Sequence, residues 1–134
     1  MTLTVLIADD NPSDIDILQL AFEENRLAAD FLTANDGLAA IALLPGATPG
    51  LFLIDIKMPR ADGFAVLSAI RGEARFAGVP VIIMSSSAAG SDRQRAAALG
   101  ATRYWVKPAR FHESIALVAT LPALLASGPP WSPA

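Results

Sequence analysis

Short apolar runs alternate along this chain with stretches in which apolar residues recur every three or four positions. Val5-Leu6-Ile7-Ala8, Leu51-Phe52-Leu53-Ile54 and Val81-Ile82-Ile83-Met84 are continuous runs of four. Such runs belong to strands covered on both faces, as in a parallel sheet, since a half-exposed strand would alternate. Residues 28–33 are less apolar and read as an edge strand, and Arg103-Tyr104-Trp105-Val106 reads as the last strand. Tyr104 and Trp105 point to opposite sides of that strand, so one is expected in the interior or as a moving aromatic and the other on the surface.

Helical patterns fill the intervals. Asn11-Pro12-Ser13-Asp14 predicts a helix start with Asn11 as N-cap, Pro12 at the first position and Asp14 in the capping-box place. This helix runs to about residue 25 with Ile15, Leu18 and Phe22 on one face. A short alanine-rich helix over 38–44 is stopped by Pro45-Gly46, and another over 64–71 carries Phe64, Leu67 and Ile70. Ser91-Asp92 caps a helix that runs to Leu99 and closes at Gly100, and a last helix spans about 110–121. Strands alternating with helices predict a doubly wound α/β domain: a five-stranded parallel sheet, flavodoxin-like, with helices on both faces. Strand order 2-1-3-4-5 is one of the two common arrangements, and it opens a crevice between the first and third strands at their carboxyl ends.

With 134 residues, 53% of them hydrophobic, the chain supports one core and leaves no room for a second. Residues 1–121 are expected to form it, and 122–134 to be a Pro/Gly-rich tail with no helical period. There are no cysteines, which excludes disulfides, thiolate zinc sites and cysteine nucleophiles. No basic leader precedes the first strand, and the late apolar run 115–126 is short and broken by Pro122, so a cytoplasmic protein with no membrane span is expected. The net charge of -3 hides a division. Up to Asp55, nine acids face Arg26 alone, giving -8; beyond it nine basic residues face four acids, giving +5. The acidic pole suits a cation and the basic pole an anionic group or partner. The basic density and aromatic interleaving of a nucleic-acid binder are lacking.

The residues delivered to the crevice change the picture most. The first strand ends in Asp9-Asp10, the third in Asp55, the fourth in Ser85-Ser86-Ser87 and the last in Lys107. Three carboxylates brought together must take up a proton or a cation. Oxygen ligands without His or Cys favour a hard ion, most naturally magnesium. Asp55 is ionised at neutral pH and needs no base to act as a nucleophile, for which phosphorus is the fitting electrophile. Charge on the oxygens of a phosphoryl group would be met by the cation on one side and by donors such as Lys107 and Ser85 on the other.

Taken together, Asp9-Asp10, Asp55 followed by Met58-Pro59 and Gly63, Ser85 thirty residues after Asp55, and Tyr104 three before Lys107-Pro108 form a pattern over about residues 4–121. It resembles the receiver domain of two-component response regulators, the CheY-like family. The resemblance implies that Asp55 is the phosphoacceptor for a sensor histidine kinase. It implies that Asp9 or Asp10, with Asp55 and the backbone carbonyl of Lys57, holds magnesium, and that Ser85 and Lys107 contact the phosphoryl oxygens. Ser85 and Tyr104 would form the switch, while Lys57 and Ser87 occupy the places at which the family modulates phosphoryl lifetime. Such a protein is no enzyme beyond catalysing its own phosphorylation and dephosphorylation. Ala109 stands where Phe is usual, with Phe111 two further on. With the Asn11-Pro12-Ser13-Asp14 start and the Pro/Trp tail, this is similar to stand-alone receivers that partner bacterial phytochromes. Output is expected from Arg93, Arg95, Arg103 and Arg110, on the last strand and last two helices, with the Pro130-Trp131 tail, through a homodimer or another protein and not through nucleic acid or membrane. The alternatives are a phosphohydrolase of the haloacid-dehalogenase type, which usually carries an acid where Lys57 stands, a phosphorelay intermediate and a pseudo-receiver scaffold.

Overall fold

The computed structural model describes residues 2–128. Strands β1 (Leu3–Ala8), β2 (Ala29–Ala34), β3 (Leu51–Asp55), β4 (Val81–Ser85) and β5 (Arg103–Val106) form one parallel sheet in the order β2-β1-β3-β4-β5. Helices α1 (Pro12–Glu24), α2 (Gly37–Leu43), α3 (Gly63–Arg71), α4 (Gly90–Ala98), α5 (Phe111–Val118) and α6 (Leu121–Ser127) cover it on both sides. The doubly wound architecture and its strand order are as the apolar runs predict.

Period-two alternation splits each strand between two apolar layers. Leu6, Ala8, Phe52, Ile54, Val81 and Ile83 face α2, α3 and α4, where Ala40, Phe64, Leu67, Ile70 and Ala96 meet them. Val5, Ile7, Leu51, Leu53, Ile82 and Met84 face Ile15, Leu18 and Phe22 of α1, Val118 of α5 and Leu121 and Leu124 of α6. Each fully buried side chain of this size stabilises the fold by about 1.5–3 kcal/mol. The edge strand β2 is held by Phe31, whose ring meets Phe22 of α1 edge-on at 5.2 Å.

The structure corrects the reading at three places. Trp105 is 8% exposed and packs in the α1/α5 layer, while Tyr104 is half-buried against the other, so neither aromatic lies on the surface. Although β5 is an edge strand, helices cover both its faces. Secondly, α4 starts at Gly90 with Ala89 as N-cap and no side-chain cap, so Ser91 and Asp92 lie inside its first turn. Thirdly, the helix expected over 110–121 is two helices, and the stretch from 122 taken as tail is helical as far as Ser127. Pro122 lacks a backbone N–H but fits the first turn of a helix, so it opens α6 instead of ending its predecessor. Residues 129–134, including Pro130-Trp131, lie outside the described residues. Among the described residues no helix is long and apolar enough to cross a membrane.

Candidate functional site

The sheet register lines up the chemistry. Ala8 pairs with Ile54, so Asp9 and Asp55 follow side by side on β1 and β3. Asp55 pairs with Met84 and Ser85 with Val106, so Ser85 and then Lys107 come in successive steps along the same edge. Asp9 is fully buried, Asp55 is 4% exposed and Asp10 is exposed. One carboxylate oxygen from each of these three acids lies within 4.8 Å of the others.

The loop after β3 is drawn tight by Gly63. Its N–H donates to the Ile56 carbonyl at 2.8 Å, and a Cβ there would stand 2.3 Å from the Asp55 carbonyl oxygen. Only glycine lets the start of α3 lie this close to the end of β3. Asp62 then caps α3 by accepting from the Ala65 N–H at 2.9 Å. Lys57, two residues past Asp55, has an exposed side chain.

Lys107 enters from the opposite side. Its Nζ donates to Asp9 Oδ2 at 2.9 Å and to Asp14 Oδ2 at 2.8 Å, and lies 3.3 Å from Asp55 Oδ2. Burial alone would pull the ammonium down, but hydrogen bonds to Asp14 and Asp9 and the charges of Asp9 and Asp55 outweigh it and hold Lys107 above the ordinary lysine value. Asp55 is pushed from 3.8 up to about 6, first by burial and then by the charge of Asp9, with Lys107 working the other way. A cluster of three carboxylates, one of them raised by burial and like charge, fits a hard divalent cation such as magnesium, which Asp9, Asp10 and Asp55 would hold.

Ser85 is buried, and its Oγ accepts from the Ser87 N–H at 3.0 Å. Its carbonyl accepts from the Lys107 N–H at 2.7 Å. The Ser87 carbonyl accepts from the Tyr104 hydroxyl at 2.8 Å, and Arg93 lies over the Tyr104 ring, 4.8 Å from its centroid. Bonded contacts thus run without a gap from Lys107 through Ser85 and Ser87 to Tyr104.

Residues 5–119 match the family model described as the response regulator receiver domain. The chain belongs to that family. It is 31% identical over 117 residues to the DNA-binding dual master transcriptional regulator RpaA of Synechocystis, covering 87% of this chain and 48% of RpaA. It is 32% identical over 83 residues to the protein PilG of Pseudomonas aeruginosa, covering 62% of each. The chain thus spans less than two thirds of either relative. Among solved structures it is similar to the phosphorylated cyanobacterial phytochrome response regulator RcpA, with a TM-score of 0.85, 25% identity, and coverage of 95% of this chain and 96% of that one.

Within this receiver domain, sequence reasoning missed the partner of Asp14. The capping-box place suggests a carboxylate turned back onto α1, yet Asp14 reaches Lys107. The available signal was helical: Asp14, Ile17 and Leu18 share one side of α1, and Leu18 is in the core. Beside this pair lies a cavity of about 90 Å³ between α1 and the β5–α5 loop, lined also by Ile17, Met84, Trp105, Ala109 and Phe111. Phe111 is 40% exposed. Of the other arginines, Arg95 lies over the Phe64 ring, Arg103 donates to the Thr102 carbonyl at 2.8 Å, and Arg110 is exposed.

Proposed function

We propose that this receiver domain accepts a phosphoryl group on Asp55 from a phosphohistidine of a sensor kinase in the cytoplasm, and that it switches a protein-binding face in response. The observation that carries the reading is a buried carboxylate set beside two further acids, with an ammonium 3.3 Å away. An Asp55 oxygen attacks phosphorus; the new O–P bond forms as the N–P bond breaks, and the imidazole keeps the electron pair and takes up a proton. Magnesium, when bound, supplies positive charge against the phosphoryl oxygens. Asp9, Asp10, Asp55 and the Lys57 carbonyl would hold that ion. Lys107 and Ser85 meet the remaining oxygens, and the Ser85 hydroxyl can donate to one of them while it still accepts from the Ser87 N–H. The lifetime of the product is set by Lys57 and Ser87, two residues beyond Asp55 and Ser85, where the receiver family tunes how water reaches the phosphoryl group.

The reading extends to partners. Likeness to RcpA across nearly the whole chain supports a phytochrome as the kinase. The contact of the Tyr104 hydroxyl with the Ser87 carbonyl supports Tyr104, with Ser85, as the switch. Output then runs through α4, β5 and α5, whose Arg93, Arg95, Arg103 and Arg110 and the tail beyond them serve self-association or partner binding.

Mass spectrometry after incubation with acetyl phosphate and magnesium tests the core of this reading. The wild-type chain should gain one phosphate, and neither the Asp55→Asn variant nor the wild type in excess chelator should gain any. A phosphate on Asp55→Asn, or undiminished labelling in chelator, refutes it.

A further inference from the structure

Of the three acids around Lys107 Nζ, Asp9 and Asp55 belong to the carboxylate cluster, whereas Asp14 stands outside it in the first turn of α1. Asp14 nevertheless makes the shortest of the contacts, 2.8 Å against 2.9 and 3.3 Å. Its helix does not need it as a cap, because the Asn11 side chain already accepts from the Ser13 N–H. Resting on the reading of Asp55 as phosphoacceptor, we propose that Asp14 is a positioning residue that holds the Lys107 ammonium on the α1 side of the crevice, and so sets how readily Lys107 is released to a phosphoryl group on Asp55.

The donor count supports this role. An ammonium has three N–H donors and no acceptor. Two are committed at hydrogen-bond distance, to Asp9 and Asp14, while Asp55 stands further off. A cation in the carboxylate cluster takes over the charge of Asp9 and Asp55, but Asp14 lies outside and keeps its full charge for Lys107. A phosphoryl group offers three strong acceptor oxygens and about two negative charges. It therefore draws Lys107 away against one opponent, Asp14. With side-chain exposures of 30% for Asp14 and 22% for Lys107, the pair is partly screened by water, so Asp14 tunes the exchange and does not prevent it.

The test is a titration of the whole chain with beryllofluoride, a phosphoryl mimic that cannot be transferred, at saturating magnesium for each variant. Fluorine NMR resolves bound from free mimic. Asp14→Asn should bind roughly fivefold more tightly than wild type, the change expected when one partly exposed ion pair no longer competes. Asp14→Glu, which keeps the charge on a longer arm, should return most of the way to the wild-type affinity. Asp16→Asn removes the same charge from an exposed place two residues further along α1 and should stay near wild type. A merely structural Asp14 would instead lower the melting temperature of Asp14→Asn and leave its affinity unchanged or weaker. That result, or equal tightening in Asp16→Asn, overturns the proposal. Wild-type protein that shows no saturable, Asp55-dependent binding overturns the phosphoacceptor reading itself, and this inference with it.

Discussion

Removing the charge of Asp55 should stabilise the metal-free protein. In the unfolded chain this carboxyl titrates near 3.8, and in the folded crevice near 6, because burial and the Asp9 charge oppose its ionisation more than Lys107 favours it. Below about pH 4 it is neutral in both states and the folded form bears no penalty. Between about pH 4 and pH 6 the unfolded chain ionises while the folded form stays protonated, so stability falls, and it levels off above about 6 once both states are ionised. The gap between 3.8 and about 6, at about 1.4 kcal/mol for each pH unit, corresponds to a loss of about 3 kcal/mol. Asn has the shape of the neutral acid, so Asp55→Asn should recover most of that loss at pH 8. For a domain of this size that is a rise in Tm of about 10 °C. The assay is thermal denaturation of both proteins in chelator from pH 4 to 8. Taking the difference between them cancels the other carboxylates, which titrate in both. The difference should hold its full size from pH 8 down to a little above 6, shrink between about pH 6 and 4 and vanish below that, and magnesium at pH 8 should raise wild type more than the variant. An Asp55→Asn protein that melts at or below wild type at pH 8, or a difference that does not shrink on acidification, refutes the account of burial and like charge.

Three further outcomes are expected. Lys107→Arg should label severalfold more slowly with acetyl phosphate, measured by mass spectrometry over time, because a planar guanidinium cannot replace a point charge shared among Asp9, Asp14 and Asp55. Gly63→Ala should cost about 1–3 kcal/mol in denaturant melts and weaken magnesium binding, since its Cβ would stand 2.3 Å from backbone oxygen that cannot move without shifting Asp55. Tyr104→Phe should lose about 0.5–1.5 kcal/mol through the hydrogen bond to the Ser87 carbonyl, while acetyl phosphate labelling of Asp55 persists.

The crevice was legible wherever a residue ends a strand. Asp9, Asp55, Ser85 and Lys107 each follow an apolar run, and a parallel sheet in the order 2-1-3-4-5 brings the ends of such runs to one edge. Asp14 was not legible, because its contact with Lys107 spans 93 positions and its local spacing fits a capping box equally well. The two aromatics of β5 were misread, one of them expected at the surface, because a strand of four residues does not reveal whether an edge is covered, and here α5 and α6 cover Trp105. Pro122 misled for a related reason. A proline ends the helix before it and begins the one after with equal ease, and the burial of Leu121 and Leu124 decides the matter through contacts with residues far away in sequence.

Asp9, Asp14 and Asp55 contact one cation, Lys107, and Asp10 stands beside Asp9 and Asp55, so the crevice carries more negative charge than Lys107 can satisfy. The excess sits above two apolar layers built from the strands and the helices on either side. It also makes the position of Lys107 sensitive to whatever charge arrives. With a divalent cation held by Asp9, Asp10 and Asp55, the hold of Asp9 and Asp55 on the ammonium would weaken, and on the proposed reading a phosphoryl group on Asp55 would strengthen the pull from that side. Neither change needs to be large, since a few kcal/mol of difference between two arrangements suffices to exchange their populations. Lys107 is tied through its backbone to Ser85, Ser85 to the loop at Ser87, and Ser87 to Tyr104 beneath Arg93. A shift in that chain of bonds meets the basic face at the Tyr104 ring, so on the proposed reading of Asp55, Asp14 and Tyr104 the exchange of Lys107 and the release of Tyr104 would form one mechanical event.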